Sequence, residues 1–275
     1  MRKILYILTL LPLFFACSHI ADDEQLIYVA PNIPDDPNPN SPTSTLRTVL
    51  LEDFTGQKCV NCPKGTKVIE QLQEAYGDYF IAVGIHGGPL GFSGNNAAIG
   101  LATPIGDEYY NHWQLEYQPV GLIDRHGAVN YTDWIAKVRE ELARESSVRM
   151  ELEASLLATG EISISVGMEA LGTAYSGNLQ VWVLEDGITA TQTRHEPIDN
   201  DNVTINDKNY VHNHVLRTAV NGTWGEAISL NAGEQKTQQL TQAISSNWNT
   251  ENLSIVAFVY NDSGVEQAIK VNITQ

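Results

Sequence analysis

An α/β domain followed by an all-β domain is the fold class that the sequence predicts, and three observations carry it. Between residues 46 and 90 a strand-like run, a cysteine turn, a helical pattern and a second strand-like run follow one another. From Glu161 onward, short alternating segments separated by turn residues replace the helical spacing. The charge balance shifts as well: Arg47 to Met150 carries nine basic and 13 acidic residues, Glu151 to Gln275 five and 15. A length of 275 residues fits two domains.

The N-terminus, "MRKILYILTLLPLFFAC", has a short basic start at Arg2 and Lys3, then an apolar run from Ile4 to Ala16. The run is too short to span a bilayer comfortably, so residues 1–16 are expected to be a signal peptide outside the fold. "FFAC" resembles a bacterial lipobox, which implies that Cys17 is the lipidated (palmitate-bearing) first residue of the mature protein. Setting Cys17 apart leaves Cys59 and Cys62 as the one remaining pair, and an exported location permits a stable disulfide. Residues 17–45 end in "APNIPDDPNPNSPTST", a Pro/Asn/Ser-rich tether. Ser18 and "ADDEQ" from Ala21 leave the periplasmic and outer faces of the outer membrane both open.

Composition excludes one class outright. The net charge of −17 and the lack of a Lys/Arg cluster leave nothing to follow a phosphate backbone, so nucleic acid is not an expected partner.

In the first domain, residues 46–147, "TLRTVLLEDFTG" reads as a strand that Thr55 and Gly56 end. "PKGTKVIEQLQEAYG" places Val68, Ile69, Leu72 and Tyr76 on one helical face, and Gly77 stops it. "DYFIAVGIHGG" supplies the next strand, and "YTDWIAKVREELARE" a closing helix with Trp134, Ile135, Val138 and Leu142 inward. Between them lies an insertion near residues 87–113, rich in glycine and then in aromatics, either a lid near the cysteines or a structural excursion. Cys59 is expected at the helix N-terminus, where free N–H groups and the helix dipole favour a thiolate.

Strand, Cys-x-x-Cys, helix, strand resembles the thioredoxin superfamily. That resemblance implies a buried proton-transfer acid at Asp53, six residues before Cys59. It also implies a cis-proline at Pro119 within "QPVGLIDRHG", with the backbone at Gln118 pairing to substrate. Lys58 replaces the family's tryptophan before the first cysteine, Val60-Asn61 replaces Gly-Pro, and Pro63 follows Cys62. Lys58, His86 and Gln118 are expected to modulate the pair. The layout from lipobox to β-rich half is similar to the thioredoxin-like outer-membrane lipoproteins of Bacteroidetes.

In residues 148–275, "EISISVGMEAL", "NLQVWVLEDGI" and "LSIVAFVYNDSGVEQAIKVNI" read as strands of an immunoglobulin-like β-sandwich. With no cysteine there, the core is expected to rest on residues such as Trp182, Leu184, Val256 and Phe258. His212 and His214 in "HNH" lack a third ligand beside them and read as an ordinary surface or loop pair.

Two readings of Cys59 and Cys62 remain open. Pro63 stands where haem attachment needs histidine, and the domain has no further cysteine for a zinc set, so no metal or cofactor is expected. In one reading, Cys59 attacks disulfides of envelope proteins and Cys62 resolves the mixed disulfide. In the other, the pair is a permanent staple in an anchored protein used for binding or assembly.

Overall fold

The computed structural model describes Ser41 and residues 43–274. The predicted signal peptide, Cys17 and most of the tether lie outside these residues. In chain order the main elements begin with β1 (Val49–Thr55), α1 (Cys62–Tyr76), β2 (Phe80–His86) and α2 (Pro104–His112). They continue with β3 (Val120–Ile123), β4 (Ala128–Asn130) and α3 (Trp134–Leu142). The β-rich half follows as β5 (Val148–Leu156), β6 (Glu161–Ala170), β7 (Tyr175–Glu185), β8 (Gln192–His195), β9 (Thr204–Asp207) and β10 (Val215–Ala219). The last four strands are β11 (Glu226–Leu230), β12 (Gln235–Ala243), β13 (Leu253–Asn261) and β14 (Gly264–Asn272).

Local chemistry accounts for the helices. α1 carries Pro63 in its first turn, where a missing N–H costs no intrahelical bond. It ends at Gly77, whose φ of 51° suits a residue without a Cβ. Ile69, Leu72 and Tyr76 are its buried face, as their spacing predicts. α2 opens on Thr103, whose hydroxyl accepts from the Gly106 N–H at 3.1 Å. α3 buries Trp134, Val138 and Leu142.

A nine-stranded sheet in the order β14-β13-β7-β10-β2-β1-β3-β4, with β11 also on β7, runs through the molecule. β1 and β2 are parallel, and β3 and β4 are antiparallel additions. β10 joins β2 in parallel at Val215 and Gly84, where the Gly84 N–H donates to His214 O at 2.8 Å. The sheet therefore crosses residue 147, where the sequence places a domain boundary. A separate three-stranded sheet, β12-β6-β5, lies over its C-terminal half.

Three layers result. One face of the large sheet packs α1 and α3 on Val49, Leu51 and Ala82. Further along, Val181, Val183, Ile255 and Ala257 meet Ile162, Ile164 and Val166 of the smaller sheet. The opposite face gathers Leu50, Phe54, Ile81 and Val83 with Tyr109 and Tyr110 of α2. Trp182, Leu184, Val256 and Phe258 belong to this second face, not to the core between the sheets. The expectation that they form the sandwich core is thus corrected. Both faces of β7 from Leu179 onward and of most of β13 are covered, so these stretches are largely apolar and alternation alone does not say which side faces what.

Candidate functional site at Cys59 and Cys62

Cys59 and Cys62 form a disulfide with their Cα atoms 5.4 Å apart. Cys62 is the first residue of α1, and Cys59 lies in the turn before it. The helix N-terminus that the sequence assigns to Cys59 is therefore occupied by Cys62, because the turn closed by the Cys59 N–H to Gly56 O bond spends three more residues before the helix begins. Both residues are almost fully buried, at 1% and 2% exposure.

Three segments do the burying. The insertion comes first: the Lys58 N–H donates to Leu90 O at 3.0 Å, and the Lys58 ammonium sits 5.6 Å from the Phe92 ring centre. Lys58 thus faces the insertion. A Cβ on Gly56 would stand 2.3 Å from Leu90 O, so glycine is needed for this approach. Second is the β8–β9 hairpin. The Gln192 side-chain amide donates to Cys59 O at 2.8 Å and to Gly56 O at 3.2 Å. The Thr193 N–H donates to Gln57 O at 2.8 Å. Beyond them Lys64 pairs with Asp201 at 2.8 Å, and Lys67 with Asp199. Third is residues 210–214, where the Tyr210 hydroxyl reaches Thr66 of α1 at 3.3 Å.

Gln57 ties these pieces together. Its amide donates to Ile99 O and Thr191 O, both at 3.0 Å, and its carbonyl accepts from the Leu101 N–H at 2.8 Å. Sequence reasoning passes over Gln57 and Gln192. Gln57 stands two residues before Cys59, a local signal, whereas Gln192 has none.

Beside Cys62 is a cavity of about 20 Å³, lined by Asp53, His86, His212 and His214 among others. It has room for about one water molecule. Asp53 is buried with one carboxylate oxygen unpartnered, and burial raises its pKa to about 8. His86 keeps an unpartnered Nδ1 and His212 an unpartnered Nε2. Their rings meet edge to face at 5.3 Å. Burial holds the pKa of His86 well below the ordinary value, helped by the neighbouring His212, His214 and Arg217. Burial likewise lowers His212 and His214 to about 4. All three imidazoles are neutral at pH 7. His212 and His214 are not the surface pair that the sequence suggests: a parallel strand junction at His214–Val215 turns both imidazoles into the interior. Among the described residues, no group of three or more His, Cys, Asp or Glu side chains has the geometry to hold a metal ion.

Gln118-Pro119 is cis, and Pro119 lies against the first turn of α1, where a Cβ on Gly65 would be 3.4 Å from it. The Gln118 amide donates to Thr55 O at 2.7 Å and Gly87 O at 3.0 Å, and its carbonyl accepts from the Leu90 N–H. Asp53, His86, Gln118 and Pro119 thus gather around the cysteine turn.

The family model of outer membrane protein Omp28 matches residues 106–275. That span excludes Cys59 and Cys62. The structure of HBP35 of Porphyromonas gingivalis superposes with a TM-score of 0.61 at 14% identity, covering 83% of this chain and 76% of that one. A crystallised domain of the outer membrane lipoprotein Omp28 from Porphyromonas gingivalis is 30% identical, over 47% of this chain and 89% of that one, with a TM-score of 0.33. No curated protein matches. With more than half of its length matched, the chain belongs to the Omp28 family of outer membrane proteins, and its place is the outer membrane.

Proposed function

We propose that this protein is a lipid-anchored thiol–disulfide exchange protein of the cell envelope, acting through Cys59 and Cys62. On this reading, β1-α1-β2 with β3, β4 and α3 is a thioredoxin-type unit, the three-stranded sheet completes an immunoglobulin-like sandwich, and Cys17 carries the lipid after signal cleavage. One observation carries the proposal. Asp53 is a buried carboxyl without a full set of partners, in the cavity that also contains Cys62. A staple has no use for such a group, whose burial is costly.

The chemistry balances with no cofactor. A partner thiolate attacks Cys59 Sγ, forming a mixed disulfide, and the Cys59–Cys62 bond breaks with its electron pair going to Cys62. Asp53, protonated at pH 7 because its pKa is about 8, gives its proton to the departing Cys62 sulfur, directly or through one water in the cavity. A second partner thiolate then attacks the partner sulfur and leaves Cys59 as thiolate, so that the partner is oxidised and the pair reduced. In reverse, the Asp53 carboxylate takes the Cys62 proton and Cys62 resolves the mixed disulfide. Partners are envelope proteins carrying thiols or disulfides, and the backbone at Gln118-Pro119 is the edge on which they would pair.

The burial of both sulfurs favours a second reading, a structural disulfide in a binding or assembly protein. Exchange requires the β8–β9 hairpin to lift. The deciding experiment measures the reduction potential of the pair and traps partners with Cys62→Ala in the native envelope. A reversible couple with partners captured through Cys59 supports exchange. A pair that resists reduction and captures nothing supports the staple.

A further inference from the structure

A second site lies on the opposite face of the sheet. Glu52 and Asp53 are adjacent on β1 and project to opposite sides. Asp53 faces the cysteine cavity, and Glu52 faces Arg125 in the β3–β4 turn. Glu52 Oε1 accepts from Arg125 Nε at 3.0 Å and Nη2 at 2.8 Å. The guanidinium lies 4.2 Å from the Tyr260 ring centre and 4.8 Å from that of Phe258. The turn that holds it places Asp124 and Arg125 at φ 46° and 63°, a left-handed conformation unusual for residues with a Cβ.

Above this pair opens a cleft of about 800 Å³, within the range of ligand sites. Arg125, Tyr260, Trp113, Trp224 and His112 line it, with Asn178, Asp262 and other polar residues at its rim. Arg125, its side chain only 3% exposed, keeps Nη1 without a partner, and Trp113 keeps Nε1 without one. Two buried donors lacking acceptors point to a ligand that brings them. The Trp224 and His112 rings stand 4.2 Å apart beside these donors.

We infer that the cleft binds a neutral saccharide chain. A sugar ring offers an apolar face for Trp224 and hydroxyl oxygens for the Arg125 and Trp113 N–H groups, while its hydroxyl protons suit the rim carbonyls and carboxylate. A purely apolar ligand leaves both donors unpaired. An anionic one meets Asp262 at the rim, and the Arg125 charge is already balanced by Glu52.

The test titrates the protein with maltohexaose, cellohexaose, xylohexaose, laminarihexaose and mannohexaose, following tryptophan fluorescence and heat, with an oligogalacturonate as the acidic counterpart. At least one neutral oligosaccharide is expected to bind with a Kd of about 1 mM or tighter. Trp224→Ala is expected to weaken it by about tenfold or more, and Trp113→Phe, which keeps a ring and removes the N–H, by several-fold. Because Trp224 also packs on Tyr109, Trp113→Phe and the exposed Asp262→Ala decide the matter if Trp224→Ala fails to fold. Lack of binding by every neutral probe, binding by the acidic probe alone, or affinities unchanged in the folded variants would overturn the inference. Cys59 and Cys62 play no part in this site, so the outcome is independent of their chemistry.

Discussion

The side-chain amide of Gln192 donates to the carbonyl of Cys59 over 2.8 Å, joining residues 133 apart in the chain. A strand from the β-rich half thus closes over the cysteine turn of the α/β half, and access to the disulfide depends on how firmly that strand is held.

Gln192→Ala removes the donor to both Cys59 O and Gly56 O. Leaving the Cys59 carbonyl unpaired, and Gly56 O with only the Cys59 N–H, costs about 1–3 kcal/mol at the hairpin base. The disulfide is expected to be reduced by dithiothreitol about tenfold faster than in the unmodified protein. Lys64→Ala with Lys67→Ala breaks only solvent-exposed ion pairs, worth about 0–1 kcal/mol each, so reduction should quicken less. Thiol labelling against time distinguishes the two, and equal rates in all variants would show that the hairpin does not control access.

Stability should vary with pH in opposite senses on either side of about pH 6.5. Asp53 has a folded pKa of about 8 against an ordinary 3.8, so the folded state holds a proton that the unfolded state releases between those values. Its contribution is therefore present at low pH and lost as pH rises towards 8. His212 and His214, lowered to about 4 from 6.5, are neutral when folded but take up protons when unfolded. Their contribution is lost as pH falls from 6.5 towards 4. Urea midpoints measured from pH 5 to 9 should peak near the ordinary histidine value. Asp53→Asn should abolish the alkaline decline and leave the acid limb; an unchanged alkaline limb would mean that another group causes it.

Glu52→Gln leaves the Arg125 guanidinium buried beside Trp182, Phe258 and Tyr260 without its counter-charge. Breaking one side of such a pair costs about 3–5 kcal/mol. Replacing both, as Glu52→Gln with Arg125→Met, should cost clearly less than the single change. Urea unfolding of the unmodified protein and these two variants checks this, and a double variant as destabilised as Glu52→Gln would contradict it.

Gly56→Ala places a methyl group 2.3 Å from Leu90 O, so the insertion must shift and the Lys58 to Leu90 bond lengthen. A loss of about 1–3 kcal/mol is expected, with hydrogen exchange rising across residues 88–101 rather than in β1. Protection unchanged in that segment would show that the turn accommodates a Cβ.

What the amino-acid order determined alone was local. The spacing of Val68, Ile69, Leu72 and Tyr76 sufficed for α1, and Gly77 for its end, because a helix is specified by neighbours within four residues. Asp53, the cysteines and Gln118-Pro119 were recognisable as a constellation because each lies in a short motif. Which surface covers which was not local. Strand periodicity defines two faces of β7 and β13 but not their partners, so it does not reveal that Trp182 and Phe258 face α2 and not the smaller sheet. The same limit hid the burial of His212 and His214, which follows from one parallel junction at Gly84. It also hid the Arg125 cleft, assembled from three separate turns and loops, the start of β7 and the end of α2. These features rest on contacts between residues far apart in sequence, and only the closed tertiary structure brings their side chains within reach of one another.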